Sequence, residues 1–316
     1  MQATSLCIGI DVSKAELVIS IAGQKPFSIA NNAASITAWL RSVPANAHIA
    51  MESTGRYHAL LAQLAYEAAL TVYVLNARDV YFYARALGVR GKTDGVDAPV
   101  IARYLAEHHA RLHPWRPGNV VQQRLQQLLS RRAQVVVHRS ALQQTLTGVD
   151  VQGLDTQALQ EGFARLLQSI DKEIQRLIGS DERMAQGYRC LNHITGIGPQ
   201  TAALLTELFS RIAFANADAL VAYSGLDPRP NDSGTRRGRR RLSKKGPALL
   251  RRQMYLVGAA ASHSNALKPL YQAIRAKGFA STEAIVILGR KLLRVAYAVW
   301  KSGAVFDPDR LVAQKT

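Results

Sequence analysis

The chain has 316 residues, 48% of them hydrophobic, and is long enough for two domains of ordinary size with packed cores. Its 40 Lys and Arg against 22 Asp and Glu leave a formal charge of +18, an electrostatic footprint suited to a polyanion such as nucleic acid. A mean hydropathy of -0.05 and the lack of any membrane-length apolar run argue against a spanning segment. The N-terminal string MQATSLCIGIDVSK lacks the basic leader and cleavage site of a signal peptide. The two cysteines, Cys7 and Cys190, are too few and too far apart for a disulfide framework or a paired-Cys zinc site.

The charge is unevenly spread. Residues 1–112 carry a net +2 and the remainder a net +16, so the basic excess belongs to the C-terminal two-thirds. A short apolar run at 6–10 predicts a buried central strand, with further strands at 16–21 and around 26–29. A helix at 35–43, a strand at 48–51, a helix at 57–69 and a strand at 71–75 follow, then helical patterns over 77–87 and 97–109. Three strands followed by alternating helix and strand predict a mixed α/β domain over 1–112. The breakers His113-Pro114-Trp115-Arg116-Pro117-Gly118 mark its end. Two long amphipathic patterns, 119–147 and 155–178, predict an antiparallel helical hairpin within a spacer at 113–182. Residues 183–316 predict a mostly helical, basic domain.

Four acids stand out in the first domain. Asp11 ends the first strand and Glu52 the fourth, so if those strands are neighbours both carboxylates emerge at one sheet edge. Asp94 and Asp97 lie three apart, and if that segment starts a helix both side chains point to one face. Four converging acids repel one another unless cations neutralise them, and all-oxygen ligands suit Mg²⁺ or Mn²⁺. A pair of such ions can hold the attacking and leaving oxygens of a phosphodiester displacement. A strand-end Asp also serves as a cap or turn residue, and Asp94 could cap its helix.

Two features stand out in the C-terminal domain. The string from Ile194 to Ala202 looks like the turn of a helix-hairpin-helix, with Gly196 and Gly198 exposing backbone N–H groups and Thr201 at the following helix start, a phosphate-binding arrangement; the alternative is a plain glycine turn. Residues 236–245 hold seven basic side chains: Arg236, Arg237, Arg239, Arg240, Arg241, Lys244 and Lys245. Five arginines favour bidentate phosphate contacts. Ser243 sits among them, either as a phosphate hydrogen-bond donor or as a nucleophile whose alkoxide the cations would stabilise. No base is adjacent to it in sequence.

The strings GIDVSK (9–14), ESTGRY (52–57), KTDGVDA (92–98), GIGPQTA (196–202), AYSGLDP (222–228) and SKKGPALLRR (243–252) occur in this order. Together they resemble the DEDD-type recombinases of the insertion sequence 110 family, whose relatives include the Piv DNA invertases. The resemblance implies a RuvC-like, ribonuclease-H-like N-terminal domain, a coiled-coil-like hairpin and a C-terminal transposase domain. It carries metal binding onto Asp11, Glu52, Asp94 and Asp97, and the nucleophile onto Ser243. It implies a recombinase that cuts and rejoins donor and target DNA through a phosphoserine link, assisted by Mg²⁺ or Mn²⁺ and guided by a structured bridge RNA. It implies a homo-oligomer, dimer or tetramer, in which the acids of one subunit serve the serine of another. A bacterial, cytoplasmic, nucleoid-associated protein with no membrane partner is expected. The rival expectations are a site-specific invertase of the same family, a RuvC-like nuclease using water, and a non-catalytic nucleic-acid-binding protein.

Overall fold

Five strands form the N-terminal sheet in the computed structural model, which describes residues 6–53, 55, 57–88, 94–230, 232–233, 235–238 and 240–313, with the backbone alone at 94–96, 236–237 and 312–313. The strands are β1 (Cys7–Val12), β2 (Glu16–Ile21), β3 (Phe27–Ala30), β4 (His48–Glu52) and β5 (Thr71–Leu75), in the spatial order β3-β2-β1-β4-β5. The first three pair antiparallel, while β4 runs parallel to β1 and β5 parallel to β4. Side chains alternate between faces with period two. Ile8, Ile10, Val12, Ile49, Met51 and Val72 share one face with Ile36 and Trp39 of α1 (Ala33–Leu40) and with Leu61 and Ala65 of α2 (Ala59–Glu67). Ala50, Tyr73 and Leu75 share the other with Val80 of α3 (Ala77–Ala86) and Ile101 and Leu105 of α4 (Asp94–His108).

Gly9 sets how closely α4 approaches. A β-carbon there would lie 2.1 Å from the amide nitrogen of Ala102 and 2.3 Å from the carbonyl oxygen of Ala98, so only hydrogen fits between strand and helix. Cys7 packs with the cluster of Ile101 and Leu105, whereas Gly9 meets Ala98 and Ala102. The helix therefore runs against the strand direction, and its first turn reaches the C-terminal end of β1. A side chain, Asn31, ties the neighbouring loops: its Nδ2 donates to the carbonyl oxygens of Ser13 at 2.8 Å and Tyr57 at 3.2 Å. Those two residues follow the ends of β1 and β4.

The contacts divide the chain into two units, Met1–Pro117 and Gly118–Thr316. In the second, α5 (Val120–Thr145) and α6 (Thr156–Gly179) are two long helices that pack on each other. Asn119 begins α5 with a capping box to Gln122, and Asp155 caps α6. The base of the pair shares a core with α7 (Glu182–Asn192) and α8 (Pro199–Arg211) through Leu125, Leu129, Ile174, Leu177, Met184 and Ala203. The pair lies in the same contact unit as the C-terminal helices. Arg132 grips Asp171 across it, Nε to Oδ1 at 2.5 Å and Nη2 to Oδ2 at 2.9 Å.

The remaining helices are α9 (Ala217–Ser224), α10 (Ala248–His263), α11 (Lys268–Arg275), α12 (Ser281–Ser302) and α13 (Pro308–Ala313). Leu205, Leu250, Met254, Val257, Leu288 and Leu292 fill the core of α8, α10 and α12. Four two-residue strands interrupt the helices: β6 (Pro228–Arg229), β7 (Asp232–Ser233), β8 (Arg236–Arg237) and β9 (Arg241–Leu242), with β6 paired to β9 and β7 to β8. Among the described residues no helix is long and apolar enough to cross a membrane.

Replacing Gly9 by Val should lower the stability of the first unit by about 1–3 kcal/mol through overpacking against the α4 backbone, read as an earlier urea midpoint. Asn31→Ala should cost about 1–3 kcal/mol by removing both donors from partly buried carbonyls, with the same readout.

Candidate active site

The register of β1 against β4 places the first two acids. Ile10 lies opposite Met51 in the parallel pair, so the next residues along, Asp11 and Glu52, stand side by side where the strands end. Asp11 is two residues beyond Gly9 and Glu52 two beyond Ala50, which puts both on the sheet face that α4 covers. The first turn of α4 arrives at the same edge and carries Asp97, half-buried like Asp11 and Glu52. Asp94 is the first residue of that helix, and its side chain lies outside the described residues. The topology therefore brings the segments of all four acids to one edge. Among the described residues no group of three or more His, Cys, Asp or Glu is drawn close enough to hold a metal ion. The donors are all carboxylate oxygens, the set that suits a hard divalent cation.

Ser243 lies in the second unit, directly after β9, and is buried at 4% exposure. Its hydroxyl donates to Oδ1 of Asp227, and its backbone N–H donates to the Asp227 carbonyl at 2.9 Å. The short β6–β9 ladder explains this. Pro228 pairs with Leu242, so the residues just outside, Asp227 and Ser243, face each other. The Lys245 amide points at Ser243 Oγ from 3.3 Å, and Lys244 between them takes a left-handed backbone with φ of 53°. A non-glycine residue in that region stores about 1–3 kcal/mol of strain, held here by the Lys244 N–H bond to the Gly225 carbonyl. Arg251 on α10 braces the loop, its Nη1 donating to the Gly246 carbonyl at 2.6 Å. From α12, Arg290 interacts with Asp227. Burial first, then neighbouring Arg294, pushes the Arg290 guanidinium below its ordinary range, and Asp227 pulls it back.

A hydroxyl hydrogen-bonded to a carboxylate and surrounded by cations has the parts of an activated nucleophile. Sequence reading missed Asp227 because its partner is 16 positions away and joined through two-residue strands that leave no periodic signal. Asn31 was missed for the same kind of reason, since its two carbonyl partners come from different loops.

The other expected contacts divide. Thr201 is 5% exposed and its hydroxyl donates to Gln253 Oε1 at 3.0 Å, fastening α8 to α10. Gly196 is also turned inward. A β-carbon there would lie 2.9 Å from the Val257 carbonyl oxygen and 3.0 Å from the Ala261 β-carbon, which assigns the glycine to close helix packing. Gly198 is exposed at the N-terminus of α8 with open space before it. Of the basic run, Arg240, Arg241 and Lys244 are exposed and Lys245 is half-buried. Arg240 pairs with Asp232 at 2.9 Å. Arg239 lies outside the described residues, as do the side chains of Arg236 and Arg237.

Comparison with known proteins covers both units. The DEDD-type IS110 transposase model matches residues 8–149, which include the four acids, and the model described as transposase IS116/IS110/IS902 family matches residues 188–272, which include Asp227 and Ser243. A pilin gene-inverting protein of Moraxella bovis is 27% identical over 283 residues, covering 86% of each chain. The insertion element IS900 42 kDa protein of Mycobacterium paratuberculosis is 25% identical, covering 96% of this chain and 98% of its own. The insertion element IS110 43.6 kDa protein of Streptomyces coelicolor is 30% identical over 119 residues, covering 37% of this chain and 29% of its own. Two family matches in the same order as the two units, with relatives that span them both, show that this chain belongs to the IS110 family of transposases and recombinases.

Proposed function

We propose that the protein is a DNA recombinase of an insertion sequence that cuts and rejoins strands through a covalent bond between Ser243 and a DNA phosphate. The observation that carries this reading is the β1–β4 register, which sets Asp11 beside Glu52 against the helix that bears Asp94 and Asp97. The sheet order β3-β2-β1-β4-β5, with one antiparallel meander and two parallel additions, supports a ribonuclease-H-like, RuvC-like domain. Asp11, Glu52, Asp94 and Asp97 would hold Mg²⁺ or Mn²⁺, which when bound supplies Lewis-acid polarisation of the scissile phosphate.

Ser243 Oγ attacks phosphorus, and the bond from phosphorus to the 3′ oxygen breaks. The hydroxyl proton passes to the Asp227 carboxylate that already accepts it, and the departing 3′ oxygen takes a proton from water. Lys244, Lys245 and the arginines of 236–241 hold the phosphates on either side. The phosphodiester energy is kept in the serine ester, so rejoining by the reverse attack needs no ATP. Because Ser243 is only 4% exposed, its surroundings must open before DNA can reach the hydroxyl. The strained Lys244 backbone marks a place where it can do so. The net +16 of residues 113–316 supports holding DNA together with a guide RNA, and a dimer or tetramer would let the acids of one subunit serve the serine of another. The likeness to the pilin gene-inverting protein favours, as a second reading, site-specific inversion by the same chemistry.

Ser243→Ala should abolish protein trapped covalently on nicked DNA, read by denaturing gels. Strand cleavage that persists at the wild-type rate would overturn the assignment in favour of a water-using nuclease. Asp227→Asn keeps the hydrogen-bond geometry but cannot take the proton, and should slow adduct formation by roughly 10²–10⁴-fold while the chain stays folded. Asp11→Asn or Glu52→Gln, or chelation of divalent ions, should stop cleavage while leaving DNA binding by the second unit within a few-fold. RNA recovered with the purified protein, and lost after ribonuclease together with recombination, is the expected result for a guided enzyme.

A further inference from the structure

We propose that the exposed stripe of α3, formed by Arg78, Tyr81, Phe82 and Arg85, is a stacking surface for unpaired DNA nucleotides beside the carboxylate edge. The four residues follow the i, i+3, i+4, i+7 spacing of a single helix face. The opposite face is spent on the fold: Val80 is buried, and Tyr83 donates its hydroxyl to Glu107 of α4 at 2.7 Å. On the outer face Tyr81 and Phe82 remain 53% and 52% exposed. Packing of the sheet therefore does not account for two adjacent aromatic rings on the solvent side of a helix in a nearly neutral domain.

Their surroundings indicate what they fit. The Arg78 guanidinium carbon lies 5.4 Å from the centre of the Phe82 ring, and that of Arg85 lies 5.9 Å from the Tyr81 ring. Arg85 also donates to the Tyr81 hydroxyl at 3.3 Å, and the two rings meet edge to face at 5.4 Å. Rings flanked by guanidinium groups offer a π-face to a base and a charge to its phosphate, the pairing that single strands use. A duplex keeps its base faces stacked inside, so it cannot use the rings in this way.

Placement selects DNA as the source. α3 begins two residues after β5 ends at Leu75, the position paired with Glu52. At 1.5 Å per residue, Phe82 is only about 8 Å along the helix axis from Ala77. Nucleotides unpaired around a cleaved phosphate would lie within reach of the rings. This inference rests on the reading of the carboxylate edge as the place where DNA is cut.

The test uses the full chain without divalent ions and a DNA duplex carrying a five-nucleotide single-stranded gap with 2-aminopurine at its centre. The wild type should quench the probe and bind gapped DNA more tightly than intact duplex. Y81A/F82A should lose the quenching and bind gapped DNA roughly 10–100-fold more weakly, with duplex affinity held within twofold. Y81F/F82Y, which keeps both rings, should behave as wild type. Because both side chains are exposed, the alanine variant should melt at the wild-type temperature. Unchanged gapped-DNA affinity, equal losses on duplex, a loss confined to an RNA strand of the same sequence, or a changed particle mass in light scattering would each overturn the proposal. Asp11→Asn and Ser243→Ala should retain the quenching. If either variant still cleaves DNA as wild type, the catalytic reading fails while the stacking measurement stands by itself.

Discussion

The contact between the backbone of α4 and Gly9 is the constraint on which the first unit turns. With no side chain on Gly9, Ala98 and Ala102 sit directly on β1, and the helix can run along the strand at a separation that no other residue would allow. That close fit sets the axial position of α4, bringing its first turn to the ends of β1 and β4. Residue choice elsewhere in the sheet follows from this. Ile8, Ile10, Ile49 and Met51 fill the far face, leaving small residues, Gly9 and Ala50, under the helix. The acids then appear at the first positions along that face where the sheet no longer has to be dry.

The second unit reaches its site by a different route. The helices α8, α10 and α12 make a continuous apolar core, and the polar chemistry is displaced onto the irregular segment between α9 and α10. Its pairs are only two residues long, too few to be stable alone, so the segment depends on bonds from the helices around it. Arg251 from α10 holds its Gly246 carbonyl, and Arg290 on α12 stands near Asp227. A loop built this way is fixed in one geometry yet has few bonds to break, and it keeps the Ser243 hydroxyl buried.

Much of this was legible in the residues. Short apolar runs at 6–10, 16–21 and 71–75 and apolar periodicity across 119–147 and 155–178 predict elements that the structure contains, because a strand covered on both faces is apolar along its length and a helix packed on one face keeps its period. The adjacency of Asp11 and Glu52 was open only as a conditional, since a sequence does not state strand order; the parallel register resolves it. What could not be read came from pairings between distant positions. Asp227 meets Ser243 through strands too short to show alternation. Thr201 and Gly196 carry the residue types of a phosphate-binding turn, but α10 packs against them and takes up their hydroxyl and their open side. Local chemistry is the same in both settings; only the neighbour differs.

The long pair of α5 and α6 has a mechanical consequence. Its fully buried residues, Leu125 and Leu129 on one helix and Leu167, Ile174, Leu177 and Ile178 on the other, concentrate toward the base. Beyond Leu129, α5 continues to Thr145 with none, a reach of about 24 Å at 1.5 Å per residue. Its outer turns can therefore fray and re-form at a small opening free energy while the base stays folded. The Arg132–Asp171 clamp marks the change of stiffness, so a pull on the tip would be absorbed by bending of the arm before it was felt by the helices that cradle the serine loop.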